Sequence, residues 1–109
     1  MLEPILGSKN KERILLYLHV RKEGYAREIS RYFKTDLAPV QKQLERLENG
    51  GVLYGRAAGR TRLFGLNPRY PFLGELRGLL DRALAFYSPD ERDALVNVRT
   101  RPRRKEKPI

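Results

Sequence analysis

The sequence predicts one mainly α-helical domain with a small β-hairpin, and three observations carry that reading. Apolar residues recur at spacings of three and four through residues 8–49. Between residues 52 and 66 the pattern turns extended around a tip of small residues. Helical spacing returns at Leu73 and runs to Tyr87. At 109 residues the chain has room for one hydrophobic core.

The elements follow in order. Residues 1–7 read as an N-terminal arm. Ser8 is a good N-cap, although Glu12 stands one position too late for a capping box, and the helix it opens runs to about Lys22, where Gly24 is expected to end it. Ile14, Leu15 and Leu18 make its stripe, but Leu16 and Tyr17 are apolar too, so the helix must be covered on more than one side. A short second helix, from Ala26 to Phe33, puts Ala26, Ile29 and Phe33 on one face. Lys34 and Thr35 leave room only for a tight turn, Asp36 caps a third helix, and Pro39 fits its first turn, where no intrahelical N–H is needed. Val40, Leu44 and Leu47 form its buried stripe, and Asn49, Gly50 and Gly51 end it.

Val52–Arg56 and Thr61–Leu66 read as the hairpin strands. Asn67, Pro68, Arg69, Tyr70 and Pro71 break the second, and a fourth helix follows from Phe72 to Tyr87. Ser88, Pro89 and Asp90 stop that helix and cap a short last one, Glu91–Val98. This divides the chain into a body over 8–70, a helical segment over 71–98 and a tail over 99–109. The tail has two prolines, six basic residues and little to bury, and is expected to be disordered.

Composition excludes several classes of function. The chain has no cysteine and one histidine, so disulfides, thiolate metal sites, a cysteine nucleophile and a redox switch are out, and no metal or cofactor is expected. His19 reads as a surface or interface residue. The carboxylates Glu45, Glu48, Asp90, Glu91 and Asp93 have no spacing that suggests acid/base work and read as solvated charges, so no enzyme is expected. Ile14–Leu18, the longest apolar run, is far short of the roughly 20 residues that span a bilayer. Residues 1–8 lack the features of a secretory signal, and the expected location is cytoplasmic, with no membrane partner.

The net charge of +10 favours a polyanionic partner. Its distribution is more informative than its total. Residues 52–70 carry four basic and no acidic side chains, and residues 99–109 carry six basic and one acidic, whereas residues 71–98 are slightly acidic.

Helix, short helix, tight turn, capped helix and hairpin is the order of a winged helix-turn-helix. The runs Tyr25-Ala-Arg-Glu-Ile-Ser-Arg-Tyr-Phe, Asp36-Leu-Ala-Pro-Val-Gln-Lys-Gln-Leu-Glu-Arg-Leu-Glu, Gly51-Val-Leu and Gly59-Arg-Thr-Arg-Leu-Phe-Gly-Leu-Asn67 carry the likeness. Over Ser8 to Tyr87 the chain resembles the winged-helix regulators of the arsenical-repressor-like (ArsR-like) group, including winged-helix domains that accompany nucleotidyltransferases. It departs from them in two places. The Lys34-Thr35 turn lacks the glycine common there, and the metal-sensing cysteines and histidines have no counterpart, which excludes thiolate metal sensing.

With Val40, Leu44 and Leu47 buried, a turn of 100° per residue puts Ala38, Lys42 and Glu45 on the open side of the third helix, flanked by Gln41 and Arg46. Gln41 and Lys42 are the expected base readers, and Ala38 is small enough for close approach to a thymine methyl. Arg56, Arg60 and Arg62 belong to the hairpin and are expected on phosphates or in the flanking minor groove, Arg60 at the tip. Arg62 shares strand parity with Phe64 and Leu66, which also offers it a place over the core edge. Tyr25 and Arg27 at the start of the second helix are expected phosphate contacts, and Thr35 and Pro39 complete the set expected at DNA.

The fourth helix presents Leu73, Leu76, Leu80, Ala83 and Leu84, a longer apolar face than the winged helix needs. The family resemblance implies a homodimer. The expected interface is these five residues with the first helix, joined by Leu2, Ile5 and Leu6; the other arrangement is a fourth helix folded back over its own core. The expected function is a sequence-specific regulator of transcription that binds double-stranded DNA as a homodimer, any small-molecule effector being left open. The alternative is a winged helix used to bind protein or RNA, such as an accessory subunit beside a nucleotidyltransferase or a toxin.

Overall fold

A computed structural model describes residues 1–97, and the reading of 99–109 as a disordered tail lies outside the described residues. The elements run α1 (Glu3–Leu6), α2 (Lys9–Arg21), β1 (Glu23–Tyr25), α3 (Ala26–Tyr32), α4 (Leu37–Asn49), β2 (Leu53–Ala58), β3 (Thr61–Leu66), α5 (Leu73–Leu84) and α6 (Pro89–Asn97). The mainly helical class with a small sheet is as the sequence predicts.

Helix α2 is the centre of the molecule. Ser8 caps it as expected, its side chain accepting from the Lys11 N–H at 3.2 Å. Its all-round apolar sequence has a direct structural cause: α1, α4, α5, α6 and β3 all pack on it, and Ile14 through Leu18 are buried.

The arm is not an open strand. Residues 3–6 form α1, Leu2 is buried, and the buried Glu12 carboxylate accepts the Leu2 N–H at 3.0 Å. Glu12 thus ties the arm to α2 instead of capping it. Gly24 does not end α2 either. Lys22 does, at φ 77°, while Gly24 lies in β1, a strand absent from the sequence reading. A Cβ on Gly24 would meet the Tyr17 ring at 2.9 Å, so glycine is what lets β1 lie against α2.

The sheet order is β1-β3-β2, antiparallel throughout. Register puts Leu53 opposite Leu66, Gly55 opposite Phe64 and Ala57 opposite Arg62, so these residues share the face toward the core. The other face carries Glu23, Tyr25, Tyr54 and Arg56.

Helix α5 contradicts part of the expected dimer interface. It packs on α2 of its own chain, where Leu80 is 0% and Ala83 3% exposed, so these two residues are core and cannot meet a second copy. Leu73, Leu76 and Leu84 remain half-buried. Leu2 and the apolar face of α2 are likewise enclosed. The cap of α6 is a reciprocal pair: the Ser88 N–H donates to Glu91 at 3.0 Å and the Glu91 N–H to the Ser88 hydroxyl at 3.1 Å, so Glu91 is a capping residue and not a merely solvated charge. No described helix is long and apolar enough to cross a membrane.

Candidate nucleic-acid interface

The site is built from the two helices of the α3-α4 pair and the β2-β3 hairpin. Between α3 and α4 the chain turns without glycine. Lys34 takes the left-handed conformation at φ 53°, its N–H donates to the Arg31 carbonyl at 3.2 Å, and the Thr35 N–H donates to the Ser30 carbonyl at 2.9 Å. These two bonds satisfy the end of α3 as a glycine-terminated helix would. At the far end of α4, Gly51 at φ 81° makes the equivalent pair, Gly51 to Glu48 and Val52 to Leu47. Asp36 precedes α4 in extended conformation, without the side-chain cap bond its identity suggests.

Helix α4 divides as its sequence predicts. Val40, Leu44 and Leu47 are buried, while Ala38, Pro39, Gln41, Lys42, Glu45 and Arg46 are exposed. The exposed residues form a polar strip that no other described element covers. Beside it lies a groove of about 580 Å³ whose lining includes Tyr25 and Arg27 of the α3 start, Gln41, Glu45 and Glu48 of α4, and Arg60, Arg62 and Phe64 of the hairpin. Tyr25, Arg27, Gln41, Arg60 and Arg62 are therefore brought together on one surface. Thr35 lies half-buried in the turn between α3 and α4. The Tyr25 N–H donates to the Glu28 carboxylate at 2.9 Å, which settles the first turn of α3.

The three hairpin arginines are not equivalent. Arg60, at the tip after Gly59, is exposed and has no ion-pair partner among the described residues. Arg56 lies on the outer sheet face, with Nη2 3.4 Å from Glu23 Oε1. Arg62 takes the core-edge place that strand parity offers it: Nη2 donates to Glu48 Oε2 at 2.6 Å and the guanidinium lies 5.9 Å from the Phe64 ring centre. Glu48 is thus a partner and not a solvated charge. The pairing was out of reach of sequence reading because it depends on the angle at which the hairpin meets α4.

On the outer face the Tyr54 hydroxyl donates to Glu23 Oε2. That bond, helped by Arg56, holds the Glu23 carboxyl below its usual range. Burial, then Glu23, pushes the Tyr54 hydroxyl up to about 12. Gly65 makes the arrangement possible, since a Cβ there would fall 2.5 Å from the Tyr54 oxygen. His19, expected at a surface or interface, instead bonds Asp81 of α5 through Nε2 at 2.6 Å. Among the described residues no three His, Cys, Asp or Glu side chains come together as a metal site.

No family model and no curated protein sequence matches the chain. Solved structures do, at low identity. Reduced HlyU from Vibrio cholerae aligns with TM-score 0.61 at 16% identity, over 80% of this chain and 85% of that one. Mb0332 from Mycobacterium bovis, described as a homodimeric winged helix-turn-helix DNA-binding domain and a possible ArsR-family transcriptional regulator, aligns with TM-score 0.57 at 17% identity, over 82% and 80%. A variant of ZitR from Lactococcus lactis in complex with DNA aligns with TM-score 0.50 at 14% identity, over 92% and 75%. The fold is a winged helix-turn-helix, with α3 and α4 as the helix pair and β2-β3 as the wing.

Proposed function

We propose that the protein is a regulator of transcription that binds double-stranded DNA by sequence, acting in the cytoplasm, with α4 in the major groove and the wing on flanking backbone or minor groove. The observation that carries this reading is the uncovered strip of α4. It is polar, small at Ala38, and flanked on one side by residues 52–70, which carry four basic and no acidic side chains. A helix of this kind fits the major groove, where Gln41 and Lys42 can bond base edges. Arg46 extends the strip toward the backbone, and Arg27 and Arg60 stand where phosphates would pass. The DNA complex of ZitR and the described role of Mb0332 support the same use of this fold.

The protein acts as a homodimer in this reading. Ile5 of α1 and Phe72 and Phe86 at the two ends of α5 are 71%, 61% and 68% exposed, which leaves large apolar groups in water on elements outside the α4-wing surface. Together with the half-buried Leu73, Leu76 and Leu84 they form a smaller interface than the sequence suggests. Two copies would present two α4 helices to successive major grooves, about 10 base pairs apart.

Selection from a random duplex library at physiological salt tests the function. The expected product is an enriched duplex with two related half-sites, bound far more tightly than RNA of equal length. Equal affinity for RNA and all duplexes would favour the protein- or RNA-binding use of the fold instead.

A further inference from the structure

The wing carries an arginine that the fold takes out of circulation. Arg62 points along the groove wall, but its guanidinium is held between the Glu48 carboxylate, at 2.6 Å, and the Phe64 ring. The pair rests on Gly55 of the neighbouring strand. A Cβ at Gly55 would fall 2.6 Å from Arg62 Nη2 and 2.8 Å from Glu48 Oε2. Three elements, α4, β2 and β3, therefore meet at one ion pair, which a side chain at position 55 would push aside. Arg60, two residues away, shows the contrast, since it has no such partner among the described residues.

We infer that Glu48 is a positioning residue that limits sequence-independent DNA binding, by holding Arg62 off the phosphates and fixing the angle between wing and recognition helix. The inference rests on the DNA-binding reading above and assigns that surface a second function, restraint. A guanidinium bonded to a carboxylate has its position set and much of its charge already offset, so it is a weaker phosphate partner than a free one. With Glu48 in place, the wing presents Arg60 alone at its tip, and discrimination is left to the polar strip of α4. Without Glu48, Arg62 swings outward and contributes a phosphate contact that is the same on every sequence.

The experiment is a cycle of Glu48→Gln, Arg62→Gln and the double variant in the full chain, each titrated with a short duplex of random sequence over a range of salt concentration. Each phosphate neutralised steepens the dependence of log affinity on log salt by about 0.9. Glu48→Gln is expected to bind the random duplex more tightly and to steepen the slope by about that amount. Arg62→Gln alone is expected to leave the wild-type slope unchanged, and in its background Glu48→Gln should lose its effect on the slope. If Glu48→Gln shifts only the thermal midpoint and leaves the slope alone, the pair is structural and the inference falls. The same holds if the steepening persists without Arg62, or if Arg62→Gln by itself flattens the slope. A wild-type protein that binds no duplex would overturn the DNA-binding reading and this inference together, a result distinct from binding with an unresponsive slope.

Discussion

Helices α4 and α5 are nearly equal in length, thirteen and twelve residues, and both are amphipathic, yet the fold uses them in opposite ways. The apolar stripe of α4 is consumed by the core, with Leu44 0% exposed, and apart from Ala38 and Pro39 what it leaves exposed is polar. Only Leu80 and Ala83 of α5 are sealed, while Leu73, Leu76, Leu79 and Leu84 are half covered and Phe72 and Phe86 stand in water at its ends. Each surface therefore accepts a different kind of partner. A polar helix face beside an arginine wing suits a polyanion, and an incompletely covered leucine helix suits another apolar surface.

The sharpest way to break that contrast is to attack the sealed part of α5. Leu80→Ala should destabilise the domain by about 2–5 kcal/mol, as for other fully buried leucines, measured by denaturant unfolding. A loss below about 1 kcal/mol would mean that α5 does not close the core of its own chain. Next in size is Phe86→Ser. Because Phe86 touches solvent, unfolding should shift by no more than about 0.5 kcal/mol, while the dimer dissociation constant, followed by analytical ultracentrifugation, should rise about tenfold. A wild-type monomer at all concentrations would remove the second copy from the account.

The smallest effect concerns the outer face of the sheet, opposite the side that meets the core. Tyr54 ionises near 10 in the unfolded chain and about 12 in the folded one, so between those values the unfolded state has lost a proton that the folded state keeps. Stability that depends on a protonated Tyr54, through its burial and then its bond to Glu23, is therefore present below pH 10 and lost as pH rises toward 12. Unfolding midpoints of Tyr54→Phe should fall less steeply over that window than those of the wild type. Parallel curves would show that folding leaves the Tyr54 hydroxyl unshifted.

Much of this fold is legible in the sequence, and the reasons are local. Val40, Leu44 and Leu47 announce α4 by spacing, Gly50 and Gly51 announce its end, and Gly59 the hairpin tip. What escaped reading depends on contacts between distant segments. β1 is three residues long and exists only because β3 is there to pair with it, so Gly24 looks like a helix stop when it is a point of close approach to Tyr17. Leu80 and Leu76 have the same spacing signal, and only the packing of α5 on α2 separates a core residue from a surface one. In the candidate interface, exposure of Gln41 and Lys42 followed from helix geometry, whereas the capture of Arg62 by Glu48 and of Arg56 by Glu23 required the wing's orientation.

Discrimination between duplexes rests most directly on Gln41 and Lys42. With a duplex taken from the library selection and a random duplex of equal length, the affinity ratio is measured for wild type, Gln41→Ala, Lys42→Ala and Arg60→Ala at fixed salt. Each α4 substitution should cost about 1–3 kcal/mol on the selected duplex and much less on the random one, so the ratio falls, while Arg60→Ala should weaken both more nearly alike. Full discrimination retained by both Gln41→Ala and Lys42→Ala would show that α4 is not the reader.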